Sequence, residues 1–263
     1  MKKVILISIL SIVSLGITSC DKDDKSFNIF SIEDDKALGL QVSQSIESDS
    51  SDYVVMDPTD HAASYAHIDR IINSILNSGE VKYKDEFVWR VRIIQDDSTL
   101  NAFCTPGGYI YVFTGLIKYL DSEDQLAGVL GHEIAHADRR HSTDQLSKQY
   151  GYSVLISATL GDKSVIGQIA TSLIFLKYSR KDETEADEYS VRYLCPTEYN
   201  AAGGAGFFEK IAAAGGSGTP EFLSTHPSPD NRIPTFYDWK KELDCSGSAT
   251  NTDKYQDFKN SLP

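Results

Sequence analysis

Residues 125–136 read Gln-Leu-Ala-Gly-Val-Leu-Gly-His-Glu-Ile-Ala-His, and this stretch decides the fold. Its last five residues have the form His-Glu-x-x-His. On a helix, this spacing places His132 and His136 one turn apart on the same face, so both imidazoles can reach one metal ion. Glu133 is turned away by about 100°, to the edge of that face, where it can accept a proton from water instead of binding the ion. The stretch therefore predicts a helix that carries a zinc centre.

The surroundings of the motif predict that this helix is buried. Apolar residues flank both histidines, whereas a chance match on an ordinary surface helix would have polar neighbours; they are Leu126, Val129, Leu130, Ile134 and Ala135. Two buried histidines beside a buried carboxylate are costly unless a cation accompanies them. Ser122, followed by two acidic residues, is typical of the start of such a helix.

A third zinc ligand is expected downstream, because a catalytic zinc needs three protein ligands and one open position. The strongest candidate lies in residues 179–187, Ser-Arg-Lys-Asp-Glu-Thr-Glu-Ala-Asp. On a helix, Glu183 and Asp187 share a face, as a ligand and a carboxylate that orients an imidazole would. From composition alone, a solvated acidic face is the more ordinary interpretation of the same residues.

The N-terminus predicts export and lipid attachment. Two lysines precede the apolar run 4–17, which is too short for a convincing membrane span, so we expect a lipoprotein signal peptide at residues 1–19. The end of this run, Ile-Thr-Ser-Cys, resembles a bacterial lipobox, so Cys20 is the expected lipidation site and residues 20–30 the lipidated N-terminus and linker. We therefore expect an anchored protein of the bacterial cell envelope, at the outer membrane on its periplasmic side or at the cell surface. An ordinary signal peptide with Cys20 incidental is the alternative.

The remaining pattern predicts an α+β fold that is mainly α-helical, with a small β-sheet beside the His-Glu-x-x-His helix. Two helices open the domain, three strands follow, and most of the rest is helical. The expected helices span residues 31–46 and 60–76, the strands 87–94, 101–104 and 109–113, and two packed apolar helices 153–160 and 164–176. We expect one domain at residues 31–245 and a polar, loosely held tail at residues 246–263.

Charge and cysteines limit the partners and the compartment. The net charge of −13 becomes −15 once the signal peptide and its two lysines are removed. Such an acidic surface repels phosphate backbones, so we expect no nucleic-acid partner and membrane attachment through lipid alone. In an oxidising compartment, Cys195 and Cys245 could form a disulfide, whereas Cys104 is expected to remain a buried thiol.

At this point the chain resembles the gluzincin metallopeptidases of the HtpX, BepA and CAAX-prenyl-protease group, and in particular their compact members, the minigluzincins. The resemblance covers about residues 31–243. It rests on four blocks in the same order: Asn101-Ala102-Phe103 with Pro106-Gly107-Gly108 and Gly115-Leu116; residues 131–136; Ser179-Arg180 with Glu183, Ala186 and Asp187; and Thr225-His226-Pro227-Ser228 with Arg232-Ile233.

The resemblance implies a zincin-like fold and a role for each block. Glu183, rather than Glu185, is the implied third ligand of one zinc ion per chain. The edge strand Asn101, Ala102, Phe103 and Cys104 is implied to bind substrate as an added strand. For His226 three roles stay open: it fills the fourth position at the zinc, it helps polarise the scissile carbonyl together with Arg232, or it shapes its loop. The other histidines, His61, His67 and His141, are interpreted as surface or capping residues.

The sequence therefore predicts a zinc metalloendopeptidase that hydrolyses exported or misfolded envelope proteins, with Glu133 as general base. The alternative is a non-catalytic or latent assembly factor or holdase for envelope proteins, with its zinc site closed by His226. An intact Glu133 argues against a purely structural site. The lack of an internal membrane span argues against membrane-buried substrates, and the lack of helical repeats after residue 245 weakens docking on an outer-membrane assembly machine.

Overall fold

The structure is a computed structural model that describes residue 28 and residues 30–48, 53–214, 221–227 and 231–263. The expected signal peptide, Cys20 and most of the expected linker lie outside the described residues, as does Ser228. The described chain is mainly helical with one three-stranded sheet, which confirms the predicted fold class. The helices are α1 Ile32–Ser48, α2 Ala62–Leu76, α3 Thr114–Tyr119, α4 Glu123–Asp138, α5 His141–Tyr150, α6 Tyr152–Thr159, α7 Lys163–Ile174, α8 Arg180–Leu194, α9 Gly203–Ala213, α10 Glu221–Thr225, α11 Arg232–Glu242 and α12 Thr252–Ser261.

The sheet has the strand order β1-β3-β2. β1 (Arg90–Ile94) runs parallel to β3 (Tyr109–Phe113), and β2 (Ala102–Thr105) pairs with β3 in the antiparallel sense. Gly107 and Gly108 in the turn between β2 and β3 have φ angles of 76° and 86°, which a residue with a side chain rarely adopts. β1 begins three residues later than expected, because Trp89 has a φ of 47° that interrupts extended backbone.

α4 lies at the centre of the molecule and packs against α8, α9 and the edge strand β2. Every residue of α4 except Gln125 is buried. The close approach of α9 requires glycine, because a Cβ on Gly128 would lie 2.3 Å from the backbone nitrogen of Gly204. On the α8 side, the Ser190 hydroxyl donates a 2.7 Å hydrogen bond to the Gly128 carbonyl. The predicted metal-binding helix is thus the buried axis of the domain.

The two apolar runs after residue 150 form α6 and α7, which pack against α1. Asp162 begins α7, and its carboxylate accepts hydrogen bonds from the backbone N–H groups of Ser164 and Val165. Within the ranges that the structure covers, no helix combines the length and the apolar character that crossing a membrane requires. The expectation that these runs are packed helices agrees with the structure.

The C-terminal region differs from our expectation. Residues 252–261 form α12, which packs against α2 and α4, so the expectation of a loosely held tail is wrong. Tyr255 and Phe258 are fully buried, and the Tyr255 hydroxyl donates a 2.7 Å hydrogen bond to the Ile117 carbonyl. With only a few apolar residues among polar ones, the segment has too weak a periodicity to be recognised from sequence.

The cysteines follow the predicted pairing. Cys195 and Cys245 form a disulfide that links the end of α8 to the segment after α11. Cys104 is a free thiol and is buried in β2.

Candidate metal centre

Three predicted ligands meet at one point. The Nε2 atoms of His132 and His136 are 3.0 Å apart, and the Glu183 carboxylate oxygens lie 3.6 Å and 3.4 Å from them, respectively. Ligands held about 2.0–2.1 Å from a tetrahedral zinc ion are separated by about 3.3 Å. The observed separations therefore match a zinc site. α4 presents both histidines, and α8 presents the glutamate.

Burial shifts the pKa values of the residues in the cluster. His132, His136 and Glu183 are at most 3% exposed. Burial lowers the pKa of both imidazoles, most strongly that of His136, so their nitrogens are available as lone-pair donors. The same burial raises the pKa of Glu183 well above its usual value, although Arg232 opposes the shift. A buried carboxylate with so little compensation indicates that a positive ion belongs beside it.

Glu133 lies next to the ligands and is itself fully buried. Within the described chain, neither of its carboxylate oxygens accepts a hydrogen bond, and the same is true of Glu183. Burial raises the pKa of Glu133 well above its usual value. A metal ion would account for the Glu183 oxygens that accept no hydrogen bond, and water at that ion would account for those of Glu133.

Asp187 holds the outer side of the His132 ring. The His132 Nδ1–H donates a 2.9 Å hydrogen bond to Asp187, so that Nε2 faces the cluster. Arg232 binds Asp187 through two hydrogen bonds of 2.6 Å and 2.7 Å, and its Nη2 lies 3.2 Å from Glu183. Burial alone would raise the pKa of Asp187, but Arg232 and His132 outweigh it and lower the pKa. Arg232 therefore holds the carboxylates of Asp187 and Glu183 in place.

His226 points into the cluster as a fourth candidate ligand. One of its ring nitrogens lies within 4.8 Å of the three other donor atoms, and its Nε2 lies 3.4 Å from Glu133. The Nε2 atom has no hydrogen-bond partner among the described residues, whereas Nδ1 lies 2.8 Å from the Thr225 hydroxyl. The ring stacks on Phe222 with centroids 4.1 Å apart. This position is compatible with the first two of the roles left open by the sequence.

The side chains that form the centre are at most 3% exposed. The cavity beside His132 and Asp187 has a volume of about 10 Å³, no more than one water molecule needs. Residues 221–227, which we call the covering segment, lie over the cluster and bring Phe222 and His226 to it. The Phe222 N–H donates a 3.1 Å hydrogen bond to the Leu100 carbonyl, beside the edge strand. Tyr178 stacks on His136 from a second direction, with centroids 3.8 Å apart.

The proposed substrate strand lies at an edge of the sheet, as expected, but it is covered. Asn101 and all four residues of β2 are buried, and both α4 and α7 contact this strand. A polypeptide could pair with β2 only after the elements over it have moved. Cys20, the predicted lipidation site, lies outside the described residues.

The interpretation of His141 as a surface or capping residue is wrong. It is buried, and its Nδ1 lies 2.9 Å from Nδ1 of His136. Its Nε2 lies 3.6 Å from Glu185, and contacts with His141 and Arg139 lower the pKa of Glu185 to about 2. No helical period could have revealed this contact, because α4 ends between the two histidines and Arg140 reverses the chain with a φ of 62°.

Comparisons with known proteins agree with the geometry. A family model described as peptidase family M48 matches residues 62–240, more than half of the chain. Metalloprotease YcaL of Escherichia coli is 29% identical over 194 residues, covering 71% of this chain and 72% of that protein. The beta-barrel assembly-enhancing protease of Escherichia coli is 30% identical over 157 residues, covering 54% of this chain and 32% of that protein.

Mitochondrial relatives match as well. The mitochondrial metalloendopeptidase OMA1 of Schizosaccharomyces pombe is 29% identical over 224 residues, covering 83% of this chain and 64% of that protein. The chain thus spans less than two thirds of the length of this relative.

Proposed function

The chain belongs to peptidase family M48, and on that premise we propose that it is a zinc-dependent endopeptidase that hydrolyses exported or misfolded proteins of the bacterial envelope. The observation that carries the proposal is the buried cluster of His132, His136 and Glu183, with donor atoms at tetrahedral separations beside the unpaired carboxylate of Glu133. A purely structural site would not need that second carboxylate.

The family is zinc-dependent, and the three ligands would hold one zinc ion per chain. When bound, zinc polarises the scissile carbonyl and makes water a better nucleophile near neutral pH. Glu133 accepts the proton of the attacking water and then donates it to the leaving amine. Asp187, held by Arg232, keeps Nε2 of His132 directed at the ion.

The direct test is peptidase activity of the purified mature protein on casein and on a peptide library. We expect cleavage that a chelator abolishes and added zinc restores. A second assay uses zinc-loaded protein whose covering segment has been released by substitution. If the substrates stay intact in that assay, the proposal is contradicted and a non-catalytic holdase is favoured.

A latent form of the same enzyme is the second candidate, and the closure of the site favours it. His226 already points at the cluster, and each of the candidate ligands is at most 3% exposed. If His226 takes the fourth position at rest, substrate must displace it and with it the covering segment. The enzyme would then act only on proteins that pair with the edge strand strongly enough to open the site.

Replacing His226 by alanine should therefore raise peptidase turnover, by about threefold or more, because a larger fraction of molecules becomes competent. Steady-state kinetics on a short peptide measures the change. A fall in kcat of about 100-fold would instead assign His226 to stabilising the oxyanion, and an unchanged kcat would leave it as a structural residue of its loop.

We also propose that lipid on Cys20 anchors the protein in the cell envelope. Support comes from the lipobox-like sequence before Cys20, which follows two lysines and an apolar run. A Cys20→Ser variant should move from the membrane to the soluble fraction and keep its peptidase activity. Cell fractionation with a high-salt wash tests this, and membrane retention after the wash would show that another anchor exists.

A further inference from the structure

Each ligand imidazole has a second nitrogen on the side away from the cluster, and in both cases that nitrogen is occupied. His132 reaches Asp187, which Arg232 holds. His136 reaches His141, which lies beside Glu185, and Glu185 accepts a 2.7 Å hydrogen bond from Arg139. The two arrangements are similar. Arg232 holds the Asp187 carboxylate that orients His132, and the pair of Glu185 and Arg139 holds the His141 ring that contacts His136. In the second arrangement a histidine stands between the ligand and the carboxylate.

The chemistry of the ligand determines the direction of these hydrogen bonds. His136 faces the cluster with Nε2, which lies 3.0 Å from His132 and 3.4 Å from Glu183. This nitrogen must be unprotonated to bind zinc, so the proton of the neutral ring is on Nδ1. His136 Nδ1–H then donates to Nδ1 of His141, and the proton of His141 is on Nε2. That nitrogen is the one that faces Glu185, 3.6 Å away.

The corner that carries His141 is anchored from several sides. Arg140 is in the left-handed region and begins α5, so the chain turns back toward α4. Its guanidinium donates to both oxygens of Asp35 in α1, at 2.6 Å and 3.1 Å, and Asp35 is buried. A histidine needed only to fill space would not require its ring nitrogen to meet that of the ligand.

We propose that His141 is a positioning residue for the metal centre. It accepts the hydrogen bond of His136, fixes the tautomer and the orientation of that ring, and is in turn oriented by Glu185 and Arg139. The inference rests on the proposed zinc site at His132, His136 and Glu183. It gives Glu185, which is not among the ligands, an indirect role at the centre.

The test compares two substitutions of similar shape. Asparagine at position 141 can place a carbonyl oxygen where Nδ1 of the histidine lies, whereas leucine cannot accept a hydrogen bond. We expect His141→Leu to weaken zinc binding by about 10- to 100-fold and His141→Asn to stay within about threefold of the parent protein. Zinc affinity is measured by competition with a chromophoric chelator, and the visible spectrum of the cobalt-substituted protein reports the ligand geometry. The spectrum should change in the leucine variant and persist in the asparagine variant.

Controls separate the possible failures. His61→Leu makes the same chemical change at a histidine whose side chain forms no capping hydrogen bond, and it should not alter zinc affinity. Glu185→Ala is measured in parallel, because its partly exposed side chain can be removed without opening the core. It should weaken zinc binding by about three- to tenfold.

Equal affinities of the parent protein and a folded His141→Leu variant would overturn the inference, and so would an asparagine variant as weak as the leucine variant. If the leucine variant does not fold, unchanged zinc affinity in Glu185→Ala would overturn it. Failure of the parent protein itself to bind zinc would instead contradict the proposed function.

Discussion

Replacing Glu133 by glutamine is expected to lower peptidase turnover by about 100-fold or more while zinc content and folding stay near normal. The amide retains the shape of the carboxylate but cannot accept the proton of the attacking water. Folding should tolerate the change, because the Glu133 oxygens accept no hydrogen bond from the described residues. Arg232 pairs with Glu183 and Asp187, and the substitution leaves both of those ion pairs in place. Metal analysis beside a turnover assay measures both properties.

The control for this prediction is Glu86→Gln, the same change at an exposed carboxylate, which should leave turnover unaltered. If the Glu133→Gln variant retains more than about a tenth of the parent turnover, Glu133 is not the general base. Loss of zinc together with activity would show that Glu133 acts on the site as a whole.

Glu183→Ala should purify with less than about 0.1 zinc per chain, whereas Glu185→Ala should retain about one. The two glutamates lie two residues apart on α8, so the helix directs them to different surroundings. Glu183 faces both histidines at 3.4 Å and 3.6 Å, and Glu185 forms its ion pair with Arg139. Glu183→Ala removes one of the three ligands and therefore the zinc site. Glu185→Ala lowers the zinc affinity by at most about tenfold, which does not empty a site that binds zinc tightly.

The Glu183 variant is expected to remain folded. Arg232 keeps its two hydrogen bonds to Asp187 when Glu183 is removed, so no buried cation is left unpaired. Elemental analysis of both variants, with circular dichroism to verify folding, measures the outcome. Equal zinc content in the two proteins would show that Glu183 is not the third ligand.

Local features of the site could be inferred from the sequence alone. His132, Glu133 and His136 lie within one helical turn, and the geometry of a helix determines their relative directions without reference to the rest of the chain. The assignment of Glu183 needed the family resemblance, because an acidic helix face is ordinary when considered by itself. The sequence allowed a pairing of Cys195 with Cys245 in an oxidising compartment, and the structure contains this disulfide.

The sequence by itself thus determined the metal-binding helix and the mainly helical fold, because helical spacing and residue chemistry specify them. Only the tertiary structure decided which residues surround that helix. His141 meets His136 across a chain reversal, α12 docks through a few buried side chains, and the covering segment closes the centre from a distant part of the chain. Such contacts depend on how whole elements pack, and packing brings together residues that share no local period.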